Sequence, residues 1–213
     1  MARRAGERRK RDNRKRQKFR MKYYLIVTDA EKTEIKYFNG LKESLPDELK
    51  DKISIQVRKA KSPHDLINVA KEIISKNPQT REVWLVFDRD QVNKFDTIVE
   101  DAKNSGFNVG WSNPCIEIWF HSYFGEIPKT SKSKTCISNF SKKYEQLVGQ
   151  KYSKNSSDIY IKLKEYGNEE TAINISRERL SNELENDENC KPSEMYGTTR
   201  VFELVEEINN TRS

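Results

Sequence analysis

Three short apolar segments of the sequence are each followed closely by acidic side chains. The apolar segments span residues 22–28, 82–87 and 107–112, and their hydrophobic patterning predicts buried strands. The acidic residues that follow them are, in chain order, Asp29, Glu31, Glu34, Asp88, Asp90 and Glu117. Because ligands of open α/β sheets bind outside the carboxyl ends of the strands, we expect these acids to gather around one site.

The Asp88-Arg89-Asp90 step is the part of this pattern that most directly predicts a metal site. Side chains two residues apart at the end of a strand point the same way, so both carboxylates can face one point. Neighbouring carboxylates repel each other, and one takes up a proton unless a cation lies between them. A bound Mg²⁺ or Mn²⁺ removes this conflict, polarises a phosphodiester and activates a water for attack. We therefore predict that Asp88, Asp90 and Asp29 bind the metal; the alternative is that Asp88 and Asp90 are two surface acids in a turn.

The remaining acids have structural explanations beside the catalytic one. Asp29 is a metal ligand or general base, or else the N-cap of the first helix, where Asp is favoured. Glu31 and Glu34 could replace Asp29 in catalysis, or lie in a first helical turn, where acids interact favourably with the helix dipole. Glu117 lies in an apolar segment, where a buried acid needs a metal or a basic partner. Lys32 is predicted to contact phosphate or to pair with a neighbouring acid. The predicted catalytic residues are therefore Asp29, Glu31, Glu34 and Glu117.

Rare residue types exclude several classes of site. Only two histidines, His64 and His121, and three cysteines without C-x-x-C spacing are present, so a structural zinc site is not expected. His121 is predicted to be packed or at the surface rather than a catalytic base. The sequence contains no P-loop or dinucleotide-binding glycine motif. The scattered cysteines fit a reducing cytoplasm, and no apolar stretch reaches the roughly 20 residues that span a bilayer. We therefore expect a cytoplasmic protein without a membrane partner, and any metal to be a hard cation such as Mg²⁺ or Mn²⁺.

The positive charge is concentrated at the amino terminus. The net charge is +7, but residues 1–20 contain 8 Arg and 3 Lys against two acids, so the rest of the chain is slightly acidic. Such a segment cannot bury an apolar face and is predicted to be disordered in isolation. It is predicted to hold the phosphate backbone of a nucleic acid, or else to be a solubilising terminus. The predicted nucleic-acid-binding residues, together with Lys32, are Arg3, Arg4, Arg8, Arg9, Lys10, Arg11, Arg14, Lys15 and Arg16.

Strand and helix patterns alternate over the next hundred residues. This alternation predicts an α/β core over residues 22–125, with a mostly parallel sheet flanked by helices. Residues 126–213 are predicted to be a helical region packed on this core, with helices at about 135–149, 157–166, 169–186 and 199–209. Residues 1–21 form the basic tail.

These segments together resemble the RloB-like family, a Toprim-like group associated with abortive infection in prokaryotes. The family pattern E-G-E-K-T-E-x-x-Y-F is similar to residues 29–38, its D-x-D step to residues 88–90, and its N-P-C-F-E-x-W segment to residues 113–119. The resemblance implies a Toprim-like sheet whose strand-end acid and D-x-D pair use Mg²⁺ to cut or join nucleic acid strands. It also implies an ABC-type or AAA ATPase partner in phage defence. Asp29 and Ala30 depart from the family Glu and Gly, which shortens the acid and restricts the backbone.

We therefore expect a Mg²⁺- or Mn²⁺-dependent nuclease that acts on RNA, including tRNA, or on DNA as an effector of antiphage defence. The alternative is a non-catalytic subunit that binds nucleic acid or regulates an ATPase, as the departure at Asp29 and Ala30 suggests. A second copy of the chain is a further candidate partner. A third hypothesis, a restriction-type nuclease with Glu34 and Lys36 as its E-x-K motif, requires these residues to lie on a strand.

Overall fold

The computed structural model describes residues 22–50, 53–76, 82–90 and 92–211. The predicted nucleic-acid-binding residues of the tail, from Arg3 to Arg16, lie outside these ranges. The strands are β1 (Lys22–Thr28), β2 (Ile53–Lys59), β3 (Glu82–Asp88), β4 (Asn108–Asn113) and β5 (Thr198–Thr199). The helices are α1 (Thr33–Glu43), α2 (Asp47–Lys50), α3 (Leu66–Lys76), α4 (Phe95–Asn104), α5 (Glu117–Ser122), α6 (Ser133–Val148), α7 (Ile159–Tyr166), α8 (Glu169–Asn186) and α9 (Val201–Asn210), with a 3₁₀ turn at Pro63–Asp65.

The five strands form one sheet in the order β2-β1-β3-β4-β5. The first four are mutually parallel, and β5 pairs antiparallel with β4. Leu25 and Ile26 of β1 are adjacent in sequence and both fully buried, so both faces of the sheet are covered, as parallel sheets require. This architecture confirms the predicted α/β class with a mostly parallel sheet flanked by helices and followed by C-terminal helices.

The register of the parallel strands aligns their carboxyl ends. Thr28, the last residue of β1, pairs with Val86, and Asp88, the last residue of β3, pairs with Ser112 of β4. The hydrogen-bond ladder continues beyond β3, because the Arg89 N–H donates to the Ser112 carbonyl at 2.8 Å. The acidic segments that follow β1, β3 and β4 therefore leave the sheet at one edge.

The C-terminal helices pack on the elements that surround this edge. Helix α7 packs against α1, α8 against α5, and α9 against β4. The approach of α7 to α1 is close, since a Cβ atom at Gly40 would lie 2.8 Å from the Cβ of Tyr160. Among the helices that the structure describes, none combines the length and apolar content needed to cross a membrane.

The structure corrects three expectations about the first helix. Helix α1 begins at Thr33 with Lys32 as its N-cap, so Asp29 is not the cap and Glu31 precedes the first turn. Glu34 and Lys36 are helical, so the hypothesis of a strand-borne E-x-K motif is wrong.

Strand β5 was not predicted, because two residues carry no readable periodicity. It is formed by tertiary contacts: the side-chain hydroxyls of Thr199 and Ser112 lie 3.0 Å apart, and the Gly197 N–H donates to the Asn113 carbonyl at 2.9 Å.

Candidate active site

A cavity of about 810 Å³ lies at the carboxyl edge of the sheet. Its walls come from the segments after β1 and β3, from the start of α5, and from the connection between α6 and α7. All six predicted acids of the metal and catalytic sets line it: they are Asp29, Glu31, Glu34, Asp88, Asp90 and Glu117. The expected convergence of acids from three separate strand ends is thus present in the cavity walls.

Four of these carboxyl groups are coupled electrostatically. Glu34 and Glu117 are only 4% and 0% exposed, while Asp29 and Asp88 are half-buried. The pKa of Glu34 is raised to about 8, first by burial and then by the nearby charges of Glu117 and Asp29. The pKa of Asp88 is raised well above its usual value by burial and by the charges of Glu34 and Glu117. Burial likewise raises the pKa of Asp29, against the attraction of Lys59.

Glu117 is held by two residues that the sequence analysis did not identify. The hydroxyl of Tyr152 donates a hydrogen bond to Glu117 Oε1 at 3.0 Å, and Lys154 Nζ lies 3.7 Å from the same oxygen. Both residues belong to the α6–α7 connection, a polar segment with no sequence motif that marks it as part of a site. Burial, and then the charge of the Glu117 carboxylate, raise the pKa of Tyr152, so its hydroxyl stays protonated and remains a donor.

The second oxygen of Glu117 has no protein partner in the described ranges. Glu117 Oε2 is buried and accepts no hydrogen bond from any residue that the structure describes. Buried carboxylate oxygens are normally paired, and an unpaired one costs free energy. This oxygen is therefore available to a cation or a donor that enters the cavity.

Asp90, the second acid of the D-x-D step, occupies a different environment from Asp88. It is exposed, and its Oδ1 accepts a hydrogen bond from Ser133 Oγ at 2.6 Å. Its backbone N–H donates to the Pro114 carbonyl at 2.9 Å, which ties the turn after β3 to the turn before α5. Asp90 therefore lies at the cavity mouth, next to the first turn of α6.

Glu31 and Lys32 also line the cavity, but both are exposed. Glu31 Oε1 pairs with Lys59 Nζ at 3.2 Å across the ends of β1 and β2. His64, which was not predicted as a site residue, is exposed and lines the same cavity. His121 is buried against Phe140 outside this cavity, which confirms the prediction of a packed histidine.

The donor set of the cavity fits a hard divalent cation. It offers carboxylate oxygens, which Mg²⁺ and Mn²⁺ prefer, and one of these oxygens is buried without a partner. Within the described ranges, no three His, Cys, Asp or Glu side chains are arranged around a common point at metal-binding distances. The carboxylates thus share one cavity without being gathered into a closed ligand shell.

Comparison with known proteins places the chain in a family. No curated protein and no solved structure matches it. A family model described as RloB-like protein matches residues 24–208. This range contains all the acids of the cavity and all the strands of the sheet, apart from the first two residues of β1. Because this match covers far more than half of the sequence, the chain belongs to the RloB-like family.

Proposed function

We propose that the protein is a nuclease that uses Mg²⁺ or Mn²⁺ to hydrolyse phosphodiester bonds. The observation that carries this proposal is the convergence of Asp29, Glu34, Asp88 and Glu117 on one cavity. Burial first, and then the repulsion between the neighbouring carboxylates, raise the pKa values of Glu34 and Asp88 when no cation is present. A divalent cation would relieve the same repulsion.

Asp29, Asp88 and Asp90 would hold the metal, with Glu117 supporting it. When bound, such an ion polarises the scissile phosphodiester and lowers the pKa of a water. Glu34, with a pKa of about 8, holds a proton near neutral pH and is suited to protonate the leaving oxygen. The alternative role of Asp29, in place of metal binding, is to accept a proton from the attacking water. Lys32, exposed at the rim, would bind a neighbouring phosphate.

The biological setting of the proposal comes from the family. Membership of the RloB-like family supports a Toprim-like site and a role as an effector in abortive infection, with an ABC-type or AAA ATPase as partner. The basic segment 1–20 would hold the substrate by its phosphates, which suits RNA, including tRNA, as well as DNA. The proposal places the protein in the cytoplasm, where these substrates lie.

The test is a cleavage assay with tRNA, single-stranded DNA and plasmid DNA in the presence of Mg²⁺ or Mn²⁺. We expect wild-type protein to cleave at least one substrate, and Asp88→Ala and Asp90→Ala to lose cleavage while remaining folded. Asp101→Ala, which removes an exposed acid of α4 outside the cavity, is the matched control and should cleave normally. Equal cleavage by wild type and both cavity variants would show that the activity belongs to a contaminant.

A second candidate function is a non-catalytic subunit that binds nucleic acid or regulates an ATPase. The contacts of Tyr152 and Lys154 with Glu117 favour it, because they satisfy part of the negative charge without a metal. The Asp29-Ala30 departure from the family pattern points the same way. Nucleic acid binding by wild type without cleavage in any metal would support this candidate and refute the nuclease.

A further inference from the structure

A second cavity, of about 560 Å³, lies between the end of α5, the segment after it and helix α6. It shares no lining residue with the cavity of the carboxylates. Helix α5 contributes to both, since Glu117 at its first position lines one cavity and His121, one turn later, lines the other. The lining residues of the second cavity are His121, Glu126, Ile127, Pro128, Asn139, Lys142, Lys143 and Gln146.

Helix α6 contributes a row of hydrogen-bond donors to this cavity. Asn139, Lys142, Lys143 and Gln146 follow one another at spacings of three, four and seven residues from Asn139, which places them on one face of the helix. Every one of these side chains carries N–H donors, and the lysines carry only donors. The face therefore suits a ligand that is rich in acceptors.

The charge in the cavity is positive. Lys143 Nζ lies 3.2 Å from Glu126 Oε1, so this pair is internally neutralised. Lys142 is exposed and forms no ion pair with any side chain in the described part of the chain. An anionic ligand would therefore meet an uncompensated ammonium group at the rim.

His121 lies at the base of the cavity as an unsatisfied buried polar group. It is 4% exposed, and its ring packs edge-on against Phe140 with the centroids 5.5 Å apart. Neither ring nitrogen makes a hydrogen bond of acceptable geometry to a described residue. Burial lowers the pKa of His121, and the backbone of Cys136, which the ring approaches without a well-aligned hydrogen bond, partly offsets this. A neutral imidazole ring carries one N–H donor. Buried polar groups normally have a partner, so a ligand in the cavity is the natural acceptor.

We propose that this cavity binds a phosphate group, with the His121 ring at its base and Lys142 and Lys143 at its rim. The phosphate belongs either to the backbone of a nucleic acid or to a free phosphate-bearing molecule. The site does not depend on the proposed hydrolysis, because its residues are separate from the carboxylates. Glu117 and His121 are four residues apart on α5, a rise of about 6 Å, so the two cavities are neighbours.

The two histidines of the chain provide a direct test, because each lines a different cavity. Protein with isotope-labelled histidine is titrated with inorganic phosphate in the absence of metal, and the imidazole signals are followed by NMR. We expect the His121 signal to move and saturate while the His64 signal stays in place. The variant Lys142→Gln with Lys143→Gln should raise the midpoint roughly tenfold, as expected when charge-assisted contacts are lost. Lys134→Gln, on an exposed position of α6 outside the cavity, should leave it within about twofold.

A short single-stranded RNA, added under the same metal-free conditions, distinguishes the two sources of phosphate. Movement of the His121 signal at lower concentrations of RNA than of inorganic phosphate would identify a nucleic acid backbone. Movement with inorganic phosphate alone would identify a free phosphate. Absence of saturable movement with both, movement of the His64 signal only, or an unchanged midpoint in the double variant would overturn the proposal. An unchanged His64 signal in the variants shows that the fold is preserved. Because the two cavities share no lining residue, cleavage or loss of cleavage by wild type or Asp88→Ala does not affect this test.

Discussion

Burial of the Glu34 carboxyl should make the protein less stable as the pH rises. In the unfolded chain this group has a pKa of about 4.5, whereas in the folded protein its pKa is about 8. Between these values the native state holds a proton that the unfolded state releases. The free energy of unfolding therefore falls with increasing pH, by up to about 1.4 kcal/mol for each pH unit. Over the whole window this effect reaches at most about 5 kcal/mol, which is a large share of the typical 5–15 kcal/mol of a domain.

The variant Glu34→Gln keeps the shape of the protonated acid and removes its titration. Urea unfolding of the metal-free protein, followed by the fluorescence of the buried tryptophans, gives the free energy of unfolding at each pH from 5 to 9. We expect the wild-type value to fall by several kcal/mol more than the Glu34→Gln value between pH 5 and 8. Glu43→Gln, an exposed position at the other end of α1, is the control and should follow the wild-type slope. Parallel curves for wild type and Glu34→Gln would refute the reasoning that Glu34 is protonated in the cavity.

Three further predictions follow from other contacts. Tyr152→Phe removes the hydrogen bond to Glu117 and should lower the free energy of unfolding by about 1–3 kcal/mol; a loss below about 0.5 kcal/mol in urea unfolding would mean that the bond contributes little. Gly40→Ala should destabilise the protein by about 1–3 kcal/mol, because the new Cβ would lie 2.8 Å from the Tyr160 Cβ, and an unchanged melting temperature would contradict this packing. Deletion of residues 1–20 should weaken nucleic acid binding and flatten its salt dependence, and an unchanged affinity and slope would leave this segment a solubility feature.

The fold could be predicted because the strands carry strong local signals. Segments such as 82–87 are almost continuously apolar, as expected of a parallel strand covered on both faces, and β3 is buried from Val83 to Phe87. The helices of the C-terminal region have amphipathic periods, and α8 begins and ends at the predicted residues. Strand β5 has no such signal, because its two residues pair with β4 only through tertiary contacts.

The site could be predicted only in part. Some of its residues are placed by the strands that they follow, whereas others are placed only by tertiary packing. The acids of the cavity follow the strands directly, so the order of the elements locates them. Glu31 and Glu34 have the same local pattern, and only the start of α1 at Thr33 decides that Glu34 is buried while Glu31 is exposed. Tyr152 and Lys154 lie 35 and 37 residues after Glu117 and reach it only through the packing of α6 and α7. A single sequence carries no information on such a contact.

The central claim is that the carboxylates of this cavity bind a divalent cation, and Mn²⁺ binding measures it most directly. Titration at pH 7 should show one Mn²⁺ bound per wild-type chain, with release of a proton from Asp88, whose pKa is raised well above its usual value in the metal-free protein. We expect Asp88→Asn to weaken binding at least about tenfold and Asp101→Asn to leave it unchanged. Equal Mn²⁺ binding by wild type and Asp88→Asn, or no binding by wild type at millimolar Mn²⁺, would contradict the account.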